Sequence, residues 1–307
     1  MRVYKGSKLL LKKTGLTKRS WRAAKALPKN VSLTWKVRGR NARGFGAWSK
    51  ILRFRIMPPS SEKAITAFTV PGQTGTTVIN ETLHAIAVTM PLGTDVTALV
   101  PTIAISGASV SPASGVAHDF TGPVTYTVTA ADASTQDYTV TVTVAGAVIG
   151  DPYQGGIIAY VDGSGQHGLI AATADQASDS GIQWATKSYW LISVPGALGT
   201  AIGTGDTNTV WIIAQNGAGA TYAAGLARAY TGGGYTDWFL PSKDELNQLF
   251  LKREAIGGFD TTTRPNYWSS SQFGSGINGA WFQYFADGYQ GYHSKDWPNR
   301  VRAVRAF

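Results

Sequence analysis

Few residues in this chain are equipped for chemistry, and most have a simpler role. There is no cysteine, which removes thiolate nucleophiles, disulfides and cysteine metal sites together. Gly163-Ser-Gly165-Gln-His-Gly168 has the glycine spacing of a dinucleotide loop. That chemistry needs a helix directly after the loop and an acid about 20 residues further on. Gly168-Leu-Ile-Ala-Ala172 continues instead as a strand, so the glycines read as a hairpin turn. Asp244 and Glu245 could act as an acid/base pair. However, Ser242-Lys-Asp-Glu245 is a capping box ahead of Leu246, Leu249 and Phe250, and acidic side chains favour a helix N-terminus. His84, His167 and His293 lie in separate segments with no recurrent spacing to Asp or Glu. Arg264-Pro-Asn266 and Asp296-Trp-Pro-Asn299 offer oxygens that suit calcium, in no recurrent pattern, and neither a metal nor a cofactor is expected. Arg300, Arg302 and Arg305 could gather an anion. A structural reading is preferred, in which a C-terminal strand pairs with Gly156 to Tyr160 and the arginine stems cover neighbouring helices and loops.

What remains is a dense aromatic tail. Residues 267–307 hold 11 of the 34 aromatic side chains. Trp281 to Ala286 and Tyr289 to Ser294 flank Asp287-Gly288, a strong short-range hairpin signal. A two-residue turn would set Ala286 opposite Tyr289, Tyr284 opposite Gly291 and Phe282 opposite His293. Alternation then places Phe282, Tyr284, Tyr289 and His293 on one side and Trp281, Gln283, Phe285 and Gln290 on the other. The polar and small residues that follow argue against deep burial of both sides. One face is therefore read as core and the other as a recognition surface, a task for which tyrosine and tryptophan are suited.

These residues also carry a resemblance. Tyr267-Trp-Ser-Ser-Ser, Ala280-Trp-Phe-Gln-Tyr-Phe and Arg300-Val-Arg-Ala-Val-Arg-Ala-Phe307 resemble the variable region of diversity-generating retroelement target proteins. Gly155 to Asp162, Gly168 to Ala172 and Asp237 to Asn247 extend it, and resemble parts of a C-type-lectin-like domain also found in bacterial collagen-like adhesins. The resemblance implies a fixed scaffold of Tyr267, Trp268, Ser269, Ser270, Trp281, Gln283, Phe285, Gly288, Gln290, Lys295 and residues 300–307. It implies a diversified, ligand-binding set of Phe273, Ile277, Phe282, Tyr284, Ala286, Asp287, Tyr289, Gly291, Tyr292, His293, Ser294, Asp296 and Trp297. Alternation alone puts Tyr292 on the core side, so a bulge near Gly291 is expected.

The elements that position this tail come from the rest of the chain. Residues 1–57 carry 17 Lys and Arg with no Asp or Glu, whereas residues 58–307 balance 11 against 18. Leu33, Trp35 and Val37 alternate with Thr34, Lys36 and Arg38. With Asn41, Gly44, Trp48 and Phe54, they resemble the second half of a fibronectin type III module lacking its first strands. Its charge suits a polyanion, or simply a solvated face. After Pro58-Pro59-Ser60-Ser61, residues 63–146 alternate cleanly at 124–128 and 138–144 and resemble the immunoglobulin-like modules of bacterial surface proteins, with a spacing role. No run approaches 18 apolar residues, and the three consecutive leucines at the start are too few for a signal peptide.

The expected fold is mainly β with an α+β C-terminal domain: two β-sandwich modules (1–57, 63–146) followed by a C-type-lectin-like domain (150–307). The expected role is non-enzymatic binding or adhesion on a phage tail or bacterial surface. The partner would be a host or neighbouring cell-surface protein or glycan. No membrane insertion is expected, nucleic acid is disfavoured, and oligomerisation is left open. The alternatives are an enzyme related by fold to formylglycine-generating enzymes, whose cysteines are missing here, or a phage or envelope assembly protein.

Overall fold

Alternating apolar and polar residues generate most of the strands seen in a computed structural model of the chain, which describes residues 1–18, 20–274 and 278–307. The architecture is mainly β, with helices confined to the C-terminal half. The described residues form two compact units, Met1–Thr143 and Val144–Phe307.

In the first unit, β1 (Arg2–Lys5), β2 (Lys8–Lys12), β3 (Ser32–Lys36) and β6 (Leu52–Arg55) form an antiparallel sheet in the order β2-β1-β3-β6. β4 (Arg40–Asn41) and β5 (Gly44–Phe45) make a small separate hairpin. Val3 pairs with Trp35 and Leu33 with Phe54, which forms an apolar face where Val3 and Leu33 are fully buried. The same unit contains β7 (Ile65–Thr69), β8 (Thr74–Asn80), β9 (Ala85–Met90), β10 (Thr102–Ile105), β11 (Ser109–Ser111), β12 (Val124–Thr129) and β13 (Thr135–Val144). They build a two-stranded sheet, β10-β7, and a five-stranded sheet, β11-β12-β13-β9-β8. Ile86, Val88, Met90, Val124, Tyr126, Val128, Tyr138 and Val140 all point inward, as a period of two requires. His118, the fourth histidine, packs edge-on against Phe120 with centroids 5.7 Å apart.

In the second unit, β14 (Pro152–Tyr153), β15 (Gly156–Val161), β16 (Gly168–Ala171) and β20 (Val304–Ala306) form the sheet β14-β15-β16-β20. The last strand thus pairs with β16 rather than with Gly156 to Tyr160 as expected. β14 already occupies the other edge of β15, so β16 offers the free edge. The glycines at 163–168 lie in the β15–β16 turn, where Asp162 Oδ1 accepts from the Ser164 amide at 2.9 Å.

The helices α1 (Gly205–Asn216), α2 (Ala223–Ala229), α3 (Lys243–Leu251) and α4 (Arg253–Ile256) follow. α3 starts at the expected capping box: Ser242 Oγ accepts from the Glu245 amide, and Glu245 Oε2 accepts from the Ser242 amide at 2.7 Å. Glu245 also accepts from the Gly203 amide at 2.8 Å, and burial raises its carboxyl above the ordinary value. It is a structural anchor for the loop before α1.

β17 (Asn266–Gln272), β18 (Gly279–Tyr284) and β19 (Gln290–Ser294) form a second antiparallel sheet with β18 in the middle. Its serine run ties it to everything around it. Ser269 Oγ donates to the Trp281 carbonyl at 3.0 Å, and Ser270 Oγ accepts from Asn208 of α1 at 3.2 Å. Ser271 Oγ accepts from the Lys243 amide at the start of α3, at 2.9 Å. Beneath lie the fully buried Trp184, Trp238 and Trp268, the last donating its indole N–H to the Ile182 carbonyl at 2.9 Å.

Candidate ligand-binding site

The β18–β19 hairpin is the expected one, but its register is displaced by two residues. Phe282 faces Gly291 and Ala280 faces His293. Tyr284 and Tyr289 close the ladder, with the Tyr284 amide donating to the Tyr289 carbonyl at 2.8 Å. The loop is therefore residues 285–288, and its cause is Phe285. This side chain leaves the strand to pack against Tyr267 and Phe259, with centroids 4.4 and 4.7 Å away. Gly288 is required twice over. Its φ is 90°, and a Cβ there would lie 2.4 Å from the Phe250 ring.

A shift of two preserves parity, so the expected faces survive. Phe282, Tyr284, Tyr289 and His293 share one side, while Trp281, Gln283 and Gln290 share the other. Gln283 and Gln290 link the hairpin to α3: Gln283 donates to Asn247 at 2.8 Å and Gln290 donates to the Lys243 carbonyl at 3.0 Å. There is no bulge near Gly291. The β18–β19 pairing is regular, and the irregularity lies in β17 between Trp268 and Gln272. Tyr292 sits opposite Trp281 and is nevertheless exposed, because β19 is the sheet edge.

The candidate residues fall into two clusters on opposite faces. On the first, Phe282 stacks on His293 with centroids 3.7 Å apart, Tyr289 stands edge-on to Phe282 at 6.2 Å, and Trp297 lies 5.5 Å from His293. On the second, Phe273 stacks on Tyr292 at 4.1 Å and meets Trp281 at 4.9 Å.

Exposure divides the candidate residues into two groups. Tyr289, Tyr292 and Trp297 are 63%, 57% and 55% exposed, and Ala286, Asp287 and Asp296 are exposed beside them. Phe273, Tyr284, His293 and Ser294 are half-buried. Two expectations are corrected. Phe282 is only 6% exposed, because it lies between His293 and the core built on Trp268, and Gly291 is buried beneath the Tyr289 ring. Both are floor rather than contact surface. Ile277 lies outside the described residues.

Sequence spacing gave no hint of an adjoining cleft of about 440 Å³, in the size range of small-ligand sites. Tyr284 and Trp297 contribute its aromatic surface, and Asp179, Arg264, Asn266 and Asn299 supply polar groups. These are the two Pro-Asn segments considered for calcium, brought together from opposite ends of the sheet. Asn266 pairs with Tyr284 across β17–β18, and the Ile182–Asn299 bridge holds the second segment. Gly181 allows the approach: its φ is 74°, and a Cβ would lie 2.9 Å from the Pro298 backbone. Asn299 hydrogen-bonds the His293 ring at 3.2 Å, and burial lowers the His293 pKa, which favours the neutral imidazole. Among the described residues, no group of three or more His, Asp or Glu is placed to hold a metal.

The tail arginines are structural, although Arg300 also lines the cleft. Arg300 binds Asp175 at 3.2 Å, Asp179 at 3.2 Å and Asp260 at 2.7 Å. Arg302, fully buried, binds Asp175 at 2.7 Å, donates to the carbonyls of Ala172, Gly257 and Gly258, and lies 4.0 Å over Phe259. Arg305 pairs with Asp237. Burial acts to raise the Asp260 carboxyl. The amides of Thr262, Thr263 and Arg264, together with the Arg300 guanidinium, outweigh it and hold the group far below the usual carboxylate range. Asp175 and Asp260 are therefore engaged in holding the fold.

Lys295 is a fully buried cation with no acid partner among the described residues. Its ammonium donates to the Ile192 carbonyl at 2.6 Å and to Gln272 Oε1 at 2.8 Å, and sits 4.9 Å over Trp184. Burial brings its pKa down to about 8.

Comparison with known proteins places two families on this architecture. Residues 65–142 match the family described as SGBP, N-terminal, and residues 173–305 match the family described as Lcl C-terminal domain. No curated protein matches the sequence. Among solved structures, the chain is similar to a candidate glycoside hydrolase from Bacteroides thetaiotaomicron, with 24% identity and a TM-score of 0.27. The match covers 44% of this chain and 46% of that one, so it spans less than half of the relative's length. It is also similar to a candidate secreted protein from Bacteroides fragilis, with 21% identity and a TM-score of 0.24, over 28% of this chain and 98% of that one.

Proposed function

We propose that this is a non-enzymatic surface-binding protein whose C-terminal unit, arranged as a C-type-lectin-like domain, presents a diversified ligand surface. The observation that carries the reading is the contrast within one short segment. Tyr289, Tyr292 and Trp297 stand in solvent, while Tyr267, Trp268, Gln283, Phe285, Lys295 and Arg302 are buried around them. Such a scaffold tolerates change at its exposed positions, because core packing and polar satisfaction do not depend on them. Similarity to the SGBP N-terminal and Lcl C-terminal families supports a role in binding at a cell surface. The ligand is a host or neighbouring cell-surface glycan or protein, held on one face by Tyr289 and Trp297 with the Tyr284–Trp297 cleft beside them, and on the other by Tyr292. Display is on a bacterial surface or a phage tail. No helix is long and apolar enough to cross a membrane among the described residues.

Acid/base catalysis finds no support at the cleft, since Asp179, the carboxylate that lines it, is paired with Arg300 at 3.2 Å. An array of glycans and cell-surface proteins probed with the full chain tests the binding role. The expected result is a signal that Trp297→Ala removes, and a signal unchanged by that substitution would overturn the site. Sequencing the locus tests diversification. A nearby copy of the 3′ end differing at adenines, beside a reverse transcriptase gene, is expected, and their absence would refute that part.

A further inference from the structure

The basic N-terminal segment is not used by the binding role above. Strand register shows how its charge is arranged. Lys12, Arg2 and Lys36 lie directly opposite one another across β2, β1 and β3, forming a row of three cations on one face. Arg53 pairs with Thr34, and Arg55 with Ser32, on the same face, while Val3, Leu33 and Phe54 occupy the other. Like charges directly opposite across strands repel, and no acid occurs in residues 1–57 to relieve them. No ion pair joins any described residue of that segment. Aromatic rings hold the cations in place instead. Arg2, Lys36 and Arg38 converge on Trp48 at 4.9, 5.0 and 4.6 Å, and Arg38 lies 3.9 Å over Phe45. Rings stacked in this way fix the guanidinium planes while leaving their N–H edges to meet carboxylates.

We infer that this face of the β2-β1-β3-β6 sheet binds an acidic polysaccharide. Two features set that partner apart from nucleic acid. Sheet-face readers of single strands need bare aromatic planes for bases, yet Tyr4, Phe45 and Trp48 each carry a cation within 5.5 Å. Duplex readers place a helix or a two-stranded ribbon in the major groove; the described residues of 1–57 contain no helix, and the separate β4–β5 ribbon pairs only two residues on each strand, too short to follow the groove. A polymer contacted through its carboxylates alone fits what remains. The rest of the chain has an acidic balance, so retention by a polyanion reports on this segment.

The test is binding of the full chain to immobilised alginate at increasing salt, with neutral dextran as control. Binding that weakens steeply with salt is expected, with none to dextran. Lys12→Gln/Lys36→Gln/Arg53→Gln should lower affinity about tenfold or more, while the charge-matched loop variant Lys18→Gln/Arg22→Gln/Lys25→Gln changes it by less than about threefold. Flat salt dependence in the unmodified chain, equal losses in the two variants, or tighter binding to duplex DNA at matched charge would each overturn the inference.

Discussion

Arg302 in the second unit and Arg2 in the first both lie beside an aromatic ring, Phe259 at 4.0 Å and Trp48 at 4.9 Å. Around Arg302 the chain supplies Asp175 and three backbone carbonyls and excludes water. Around Arg2 it supplies two more cations and no acid within the segment. The same residue type therefore closes a fold in one place and leaves charge unspent in the other. The difference is visible only once register and packing show what stands opposite each guanidinium. A buried cation is committed to its partners, because removing either side strands a charge in low dielectric. An unpaired cation on a sheet face is free to meet a partner.

The largest effect is expected where the commitment is greatest. Arg302→Met leaves Asp175 and three carbonyls short of a donor and should destabilise the second unit by about 3–5 kcal/mol, read as faster amide exchange in β15, β16 and β20. Stability close to that of the unmodified chain would show that the cluster is dispensable. Acid probes the same cluster. Asp260 titrates far below its unfolded value of about 3.9, so its stabilisation is present above roughly pH 4 and is lost as the pH falls further. Urea unfolding between pH 7 and 3 should show a shallow decline below about pH 6.5, where the lowered His293 pKa makes unfolding take up a proton, and a further decline below pH 4. Absence of the second decline would contradict the Asp260 cluster.

Lys295 sharpens the comparison as a buried cation without an acid. Its folded pKa of about 8 lies below the ordinary 10.5, so unfolding takes up a proton between those values. Stability should therefore increase from pH 8 towards pH 10, by a full-range limit of about 3 kcal/mol, and Lys295→Met should flatten the slope. Constant stability over that window in the unmodified chain would contradict the burial. The smallest effect belongs to the first unit. Lys12→Gln/Lys36→Gln/Arg53→Gln should alter its stability by no more than about 0.5 kcal/mol, measured by urea denaturation, since surface changes away from cores rarely do more.

Much of this was legible in the residues. The capping box at Ser242, the strands read at 124–128 and 138–144, the glycine turn before Gly168 and the two sides of the hairpin all follow from local patterns. Three features were not, and each depends on a distant contact. The hairpin loop is four residues long because Phe285 is drawn into a pocket of Phe250, Phe259 and Tyr267. Phe282 is floor because His293 stacks on it from the next strand. The cleft unites Asp179, Arg264 and Trp297, which share no local pattern and meet only through β17 and the Ile182–Asn299 bridge. Alternation reports the side of a sheet, not whether something covers it.

The central claim is that the exposed rings of the tail serve a partner and not the fold. Tyr289→Ala/Trp297→Ala, compared with Trp268→Ala for both melting temperature and attachment to receptor-bearing cells, tests it most directly. The account predicts that the double variant melts within a few degrees of the unmodified chain and no longer attaches, whereas Trp268→Ala loses about 3–5 kcal/mol of stability. A double variant that melts as early as Trp268→Ala, or that still attaches, would contradict it.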